Sequence, residues 1–294
     1  MAEGVQPRVS VIVPVYNHWH LVPALLDCLA AQSLKPPAFE LLLVDNASDC
    51  FPEALPLPPW AFLLRCTTPG SYAARNEAVR QARGEILVFT DADCRPMEQW
   101  LESGVGAFQA GGGCLAIVAG GVSVEPEDWQ CMTPSEIYDV ALGLPQARYV
   151  RRGYAITANL FIPVQVFEKV GMFDQSRFSG GDADFCRRAQ RQGIKITYCA
   201  PARVIHPARC NWLELETKKR RVKGGQVAAG SRQRRAFYLL RTLLPPFDLW
   251  WRIIRAPRLS LPQRLQACIL QGRLWGVELA EVYRLLRGEL PIRN

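Results

Sequence analysis

The residues best placed to do chemistry are two carboxylates, Asp91 and Asp93, set at alternate positions directly after the apolar run Ile86-Leu-Val-Phe-Thr90. Hard oxygen ligands of this kind suit Mg²⁺ or Mn²⁺, ions that keep several waters and complete their shell with substrate phosphates. The pair therefore points to a diphosphate ligand. An Asp after a strand also serves as a turn residue or helix N-cap, so D-x-D alone leaves both roles open. Two further polar pairs, Tyr16-Asn17 and Asp45-Asn46, follow other apolar runs. Asp45-Asn-Ala-Ser48 is also a good turn and helix start, and Arg75 reads equally as an exposed helix charge or as a phosphate partner.

The elements that must hold these residues alternate. Strand-like runs at 9–16, 39–44 and 85–90 are separated by helical spacing over 21–29 and 71–83. The strands are too apolar to have a wet face, which predicts a parallel α/β sheet covered by helices on both sides. Ligands of such sheets bind at the carboxyl ends of the strands, where Tyr16-Asn17, Asp45-Asn46 and Asp91-Ala-Asp93 fall. Residues 103–124 carry no charge, but seven glycines and Gln109 argue against a membrane span. Gly111-Gly-Gly113 instead predicts a helix end followed by a strand over 114–124. Residues 125–155, with Pro126, Pro134 and Pro145 among Trp129, Tyr138 and Tyr149, read as an irregular excursion. Further strands are expected at 155–162, 194–198 and 203–205, with helices at 164–170 and 182–192.

Five segments in order, Val9-Ser-Val-Ile-Val-Pro-Val-Tyr-Asn17, Leu43-Val-Asp-Asn-Ala-Ser48, Ala74-Arg-Asn76, Ala82-Arg-Gly-Glu-Ile-Leu-Val-Phe-Thr-Asp-Ala-Asp93 and Gly180-Gly-Asp-Ala-Asp-Phe185, resemble the family 2 inverting glycosyltransferases. The likeness runs from about residue 8 to His206. It implies the GT-A fold, a mostly parallel α/β sheet flanked by helices, with a domain over 1–206 made of a nucleotide half (about 1–110) and an acceptor half (about 111–206). It further implies that Pro14, Tyr16, Asn17 and Asp45 wall the nucleotide, that Arg75 and Asn76 line the sugar nucleotide together with Asp91, and that Asp91, Asp93 and His206 hold Mg²⁺ or Mn²⁺. Asp182 takes the role of general base toward the acceptor hydroxyl, and Asn159 and Asp184 belong to the acceptor side. The family commonly carries Glu directly before this Asp, where the chain has Gly181. The Gln-x-x-Arg-Trp motif of processive polymerising members is absent, the nearest string being Gln271-Gly-Arg-Leu-Trp275. A single-addition hexosyltransferase is expected, with a UDP-sugar as the commonest donor among similar enzymes and a lipid-linked or polysaccharide hydroxyl as acceptor.

The chain has 294 residues and a net charge of +8. That charge is uneven: residues 1–202 hold 16 basic and 21 acidic side chains, residues 203–294 hold 19 and 6. A basic tail over 207–294 with interfacial aromatics suits either an anionic membrane surface or packing back onto the domain. Lys219–Lys223 are alternatively placed to close over a diphosphate. Ten cysteines without a Cys-x-x-Cys pair, behind a start that lacks a leader pattern, read as reduced core residues of a cytoplasmic protein, peripheral on the inner face of the membrane. A sugar-phosphate nucleotidyltransferase shares the carboxylate–metal logic but calls for a Gly-rich loop and Lys after the first strand. A nucleic-acid binder would use the tail and leave the ordered carboxylates without a role, so no nucleic acid is expected. No G-x-x-x-x-G-K-[ST] loop is present.

Overall fold

Near-continuous burial along the first strands follows from covering both faces of the sheet. In the computed structural model, which describes residues 6–52, 55–110, 115–177, 179–228 and 232–292, strand β1 (Val9–Val15) and strand β2 (Phe39–Asp45) flank helix α1 (Val22–Ala30) in the chain. Edge strand β3 (Ala61–Arg65), helix α2 (Ser71–Gln81), strand β4 (Ile86–Thr90), short strand β5 (Arg95–Pro96) and helix α3 (Trp100–Ala110) follow. Then come β6 (Ala116–Glu125), α4 (Pro134–Leu142), α5 (Gln146–Arg151), β7 (Asn159–Pro163), α6 (Val164–Val170), α7 (Gly181–Arg191) and β8 (Lys195–Pro207). Four helices complete the chain: α8 (Trp212–Ala228), α9 (Arg232–Leu243), α10 (Phe247–Ile254) and α11 (Leu261–Leu286).

The sheet has eight strands in the order β3-β2-β1-β4-β7-β6-β8-β5. Strands β3, β2, β1 and β4 are parallel, whereas β7 runs antiparallel to both β4 and β6, and β5 antiparallel to β8. Alternate residues of β1 feed two separate cores. Val9, Val11, Val13 and Val15 pack with Leu25, Leu29 and Trp100 on one face. Ile12 packs with Ala74, Ala78, Phe167 and Phe185 on the other.

The chain divides into two compact units. The first takes the described residues within 1–123, 145–176 and 181–206, and the second those within 124–144, 177–180 and 207–294. The second has its own core, in which Ile137 and Tyr138 of α4 meet Leu215, Ile253, Leu270 and Leu274. Among the described residues no helix is long and apolar enough to cross a membrane, and nine cysteines are free thiols.

Several elements differ from the sequence expectation. β3 is unforeseen, because only Ala61 of its residues is buried and the alternation is weak at an edge. The excursion over 125–155 contains two helices. Thr133 opens α4 with a complete capping box to Glu136 and with Pro134 at its first turn, where a missing N–H costs nothing. The expected strands at 194–198 and 203–205 are one strand, β8, and the strand expected from residue 155 begins at Asn159. The Gly111-Gly-Gly113 break and Cys114 lie outside the described residues.

Candidate active site

Strands β1, β2 and β4 end side by side, and the loops after them are laced by polar contacts rather than by packing. Pro14, half-buried, and Tyr16 sit at the end of β1. Asn17 takes the left-handed φ of +57°, a conformation its short amide side chain tolerates, and there its Nδ2 donates to Asp49 at 2.7 Å while its Oδ1 accepts from the Asp49 N–H at 2.8 Å. The Tyr16 hydroxyl donates to the same carboxylate at 3.3 Å. Buried Asp45 accepts from the Trp19 indole N–H (3.3 Å) and from the Ser48 N–H (3.4 Å). Asn46, also buried, bridges from β2 to the loop before α2 through Thr68 O and Gly70 N, at 2.7 Å each.

Helix α2 supplies three residues to the mouth of the sheet. The Arg75 guanidinium is 4% exposed and pairs with Asp91 at 2.6 Å, while its buried Nε has no hydrogen-bond partner. Asn76 exchanges two bonds with the main chain of Phe173, so it is a brace for the loop before α7. Tyr72, one helical turn before Arg75, lies with its ring 5.6 Å from the guanidinium.

Asp91, Asp93 and His206 offer ligand atoms that all lie within 4.8 Å of one another. His206 Nε2 stands 3.4 Å from Asp93 Oδ2. Asp93 Oδ1 is buried and accepts no hydrogen bond, an expensive state for a carboxylate oxygen unless a cation faces it. Two carboxylates and an imidazole form an oxygen-rich donor set that fits a hard divalent cation such as Mg²⁺ or Mn²⁺.

Asp182 opens α7, where its Oδ1 accepts from the Ala183 N–H (2.8 Å) and its Oδ2 from the Thr157 N–H (3.4 Å). Burial raises its pKa above the ordinary Asp value; the Ala183 N–H, the Arg75 charge, the Thr157 N–H and the Tyr72 hydroxyl offset part of that rise. Arg75 thus acts on both carboxylate groups of the site, pairing with Asp91 and drawing Asp182 toward its charged form. Asp184 points elsewhere along α7 and pairs with Arg188 at 3.1 Å. Asn159 is fully buried, its Nδ2 donating to Gly121 O and Ala202 O at 2.8 Å each and its Oδ1 accepting from the Trp100 indole. It ties β6, β7 and β8 together and presents no surface of its own.

Two contributors were missed from sequence. Thr157 acts through its main chain, which no motif marks. Tyr72 was legible in principle, since three residues before Arg75 on a helix is the same face. Of the Lys219–Lys223 stretch, one reading of which placed it over a diphosphate, Lys219 and Lys223 pair inside the second unit with Glu278.

Comparison with known proteins bears on the family and the fold. Residues 10–171 match the family described as Glycosyl transferase family 2. The chain is 36% identical over 228 residues to Glycosyltransferase AglE of Haloferax volcanii, covering 75% of this chain and 73% of that protein. Among solved structures it resembles the mannosyltransferase PcManGT of Pyrobaculum calidifontis in complex with GDP-Man and Mn²⁺, at a TM-score of 0.56 and 19% identity over 97% of this chain and 77% of that one. It also resembles S. aureus TarS 1-349 in complex with UDP, at a TM-score of 0.51 and 16% identity over 96% and 92%. The two structural likenesses speak for the fold, and the sequence matches speak for descent: the chain belongs to glycosyltransferase family 2 and is a glycosyltransferase with the GT-A fold.

Proposed function

We propose that this enzyme moves a single sugar from a nucleotide-diphosphate donor, UDP-linked in the first instance, to a hydroxyl of a lipid-linked or polysaccharide acceptor, with inversion and with dependence on Mg²⁺ or Mn²⁺. In this reading the transferase domain spans 1–206, with a nucleotide half over about 1–110 and an acceptor half over about 111–206, and the basic helices over 207–294 meet an anionic membrane on its cytoplasmic face. The observation that carries it is the convergence of Asp91, Asp93 and His206, with a partnerless Asp93 oxygen, on a site whose Arg75 also acts on Asp182. The family likeness, the complex of PcManGT with GDP-Man and Mn²⁺ and that of TarS with UDP support the same reading.

The side chains then divide the work. Pro14, Tyr16, Asn17 and Asp45 form the wall against which base and ribose rest, Arg75 orients the diphosphate end beside Asp91, and Asn76 holds that lining in place through the Phe173 main chain. Asp91, Asp93 and His206 would hold the divalent cation, which when bound would offset negative charge on the diphosphate. Asp182 accepts the proton of the acceptor hydroxyl as that oxygen bonds to the anomeric carbon, and the bond from that carbon to the diphosphate oxygen breaks on the opposite face. Its burial suits this work, since a carboxylate of raised pKa is the stronger base. On the acceptor side Asp184 fixes α7 through Arg188, and Asn159 fixes the strands behind it.

Thermal melting of the protein with UDP-GlcNAc or GDP-Man, each with and without Mn²⁺, tests this directly. Donor is expected to raise the Tm only when the cation is present, and Asp93→Asn is expected to abolish that rise. A full donor-dependent rise in excess chelator would overturn the metal assignment.

A further inference from the structure

The second unit carries apolar side chains on surfaces that its own core does not use. Helix α10 buries Ile253 and leans Trp250 on the core, yet Phe247, Trp251 and Ile254, on the neighbouring stripe, are each more than half exposed. Helix α9 shows Phe237, Leu240 and Leu243 outward, and the first turns of α11 show Leu261, Leu265 and Ile269 at a spacing of four, all likewise more than half exposed. Exposed Leu244 and the Pro245-Pro246 elbow join α9 to α10 in the chain. Arg264 on α11 donates to Ile254 O at the end of α10 (3.0 Å), bringing the third stripe to the second. The charge in this stretch has one sign: residues 232–273 hold nine arginines, no lysine and a single carboxylate, Asp248, which Arg241 neutralises. Arg255 lies over the Trp251 ring at 3.8 Å and Arg258 over Trp129 at 5.4 Å, and no carboxylate among the described residues pairs with either of them or with Arg264.

We propose that α9, α10 and the start of α11 form a face that lies in the surface of an anionic phospholipid bilayer, with the apolar stripes in the acyl boundary and the arginines at the phosphates. This gives residues to the membrane partner of the proposed function, but it stands on exposure and charge alone and holds whatever sugar is transferred. A second copy of the chain would bring nine more arginines against these, so charge favours lipid over self-association.

Flotation of the full chain with vesicles of phosphatidylcholine alone and with added phosphatidylglycerol tests the face. Binding is expected to require the anionic lipid, to weaken with salt, and to fall about a hundredfold in the triple variant Arg255→Glu, Arg258→Glu, Arg264→Glu, at about one decade or less per cation. The separate variant Trp251→Ser, Ile254→Ser touches only exposed side chains, is expected to keep the wild-type Tm, and should also lose binding. Absence of vesicle binding, binding unchanged in both variants, or a dimer in sedimentation that the Ser variant dissolves would each overturn the proposal.

A second, independent observation concerns Gly181. Its φ lies outside the left-handed region, so its backbone is open to any residue, but a Cβ there would fall 2.7–2.9 Å from three carbons of the Tyr72 ring. The Tyr72 ring lies against the first residue of α7, and its hydroxyl is among the influences that hold the Asp182 carboxyl down against burial. Tyr72 is itself buried between Phe173 and Arg75.

We infer that Tyr72 is the positioning residue for Asp182 and that Gly181 is required because Tyr72 fills the volume any side chain at 181 would need. In this chain a side chain at 181 would displace the Tyr72 ring. The inference rests on Asp182 acting as base. Tyr72→Phe keeps the ring and removes the hydroxyl, so kcat should fall about tenfold with donor KM unchanged, and the acid limb of the kcat profile should move to higher pH as the carboxylate loses a donor. Gly181→Ala should cut kcat in the Tyr72 enzyme and cost little further in the Tyr72→Ala background. Active Asp182→Asn would remove the base assignment. Inactive Asp182→Asn, with an unmoved acid limb in Tyr72→Phe or a Gly181→Ala effect that is the same in both backgrounds, would overturn only the role of Tyr72.

Discussion

Two charged clusters, one in each unit, are built in opposite ways. In the second, each of three carboxylates stands between two cations: Asp139 with Arg209 (2.9 Å) and Lys218 (3.2 Å), Glu278 with Lys219 (3.1 Å) and Lys223 (2.9 Å), Glu281 with Arg284 (2.6 Å) and Arg220 (3.7 Å). In the first, Asp91 and Asp93 share one guanidinium and one imidazole, and an Asp93 oxygen is buried with nothing to accept from. Breaking a satisfied buried network costs fold stability, because the group left behind is charged and dry. An under-satisfied one costs stability as it stands and is recovered when a ligand arrives, which is why surplus negative charge at a strand end marks a site and matched charge between helices marks a joint.

The comparison breaks first at Asp182. If the unmatched carboxylates are machinery, Asp182→Asn should lower transfer by about a thousandfold while donor binding, followed by the Mn²⁺-dependent rise in Tm, stays as in the wild type. An equal loss of both would make Asp182 part of donor binding, and no loss of transfer would return it to the status of a helix cap.

Glu278→Gln probes the other region. Burial pulls the Glu278 pKa upward, but Lys219 and Lys223 outweigh it and hold the carboxyl below its ordinary value. A depressed carboxyl contributes stability above its unfolded pKa, near 4.5, and loses it as pH falls through the folded value. The substitution should therefore cost about 2 kcal/mol in urea unfolding at pH 7, a part of what a wholly dry pair would lose, and the gap to wild type should close in acid. Donor binding should not change. A variant as stable as wild type would mean the helical network is not holding the second unit together.

How much of this was legible depends on where each partner lies in the chain. β1, β2 and β4 declare themselves because both faces are buried, and Asp91 and Asp93 are visible because they directly follow such a strand. β3 does not, being an edge strand behind Pro56, Pro58 and Pro59 with one buried residue. α4 is masked by its prolines, although Thr133-Pro-Ser-Glu136 is a helix start once Pro134 is counted as a first-turn residue. His206 comes to the carboxylates from more than a hundred residues away, so composition and spacing could not assign it and only the family likeness pointed there. The Lys219–Lys223 run looked like a phosphate clamp for the same reason: Glu278 and Glu281, which take up its charge, sit far along on α11. Tyr72 was hidden differently, because a buried aromatic on a helix resembles core until the missing side chain at Gly181 is set beside it.

The smallest expected effect separates burial from charge as the cause of Asp182 basicity. Burial is the largest influence on this carboxyl and raises its pKa, so the half-point of the acid limb of kcat, measured at saturating donor and Mn²⁺, should lie above the ordinary Asp value of 3.8. The base must be ionised to accept a proton, so activity is lost as pH falls through that point and is retained above it. A shift caused by dehydration is not screened by mobile ions, whereas one caused by neighbouring charge at the surface is. Added salt should accordingly leave the half-point nearly where it is, since the opposing Arg75 charge is itself 4% exposed. A limb that moved strongly with salt would place the controlling charges in solvent, and the distinction drawn between a partly buried, unmatched mouth and a matched joint would lose its first half.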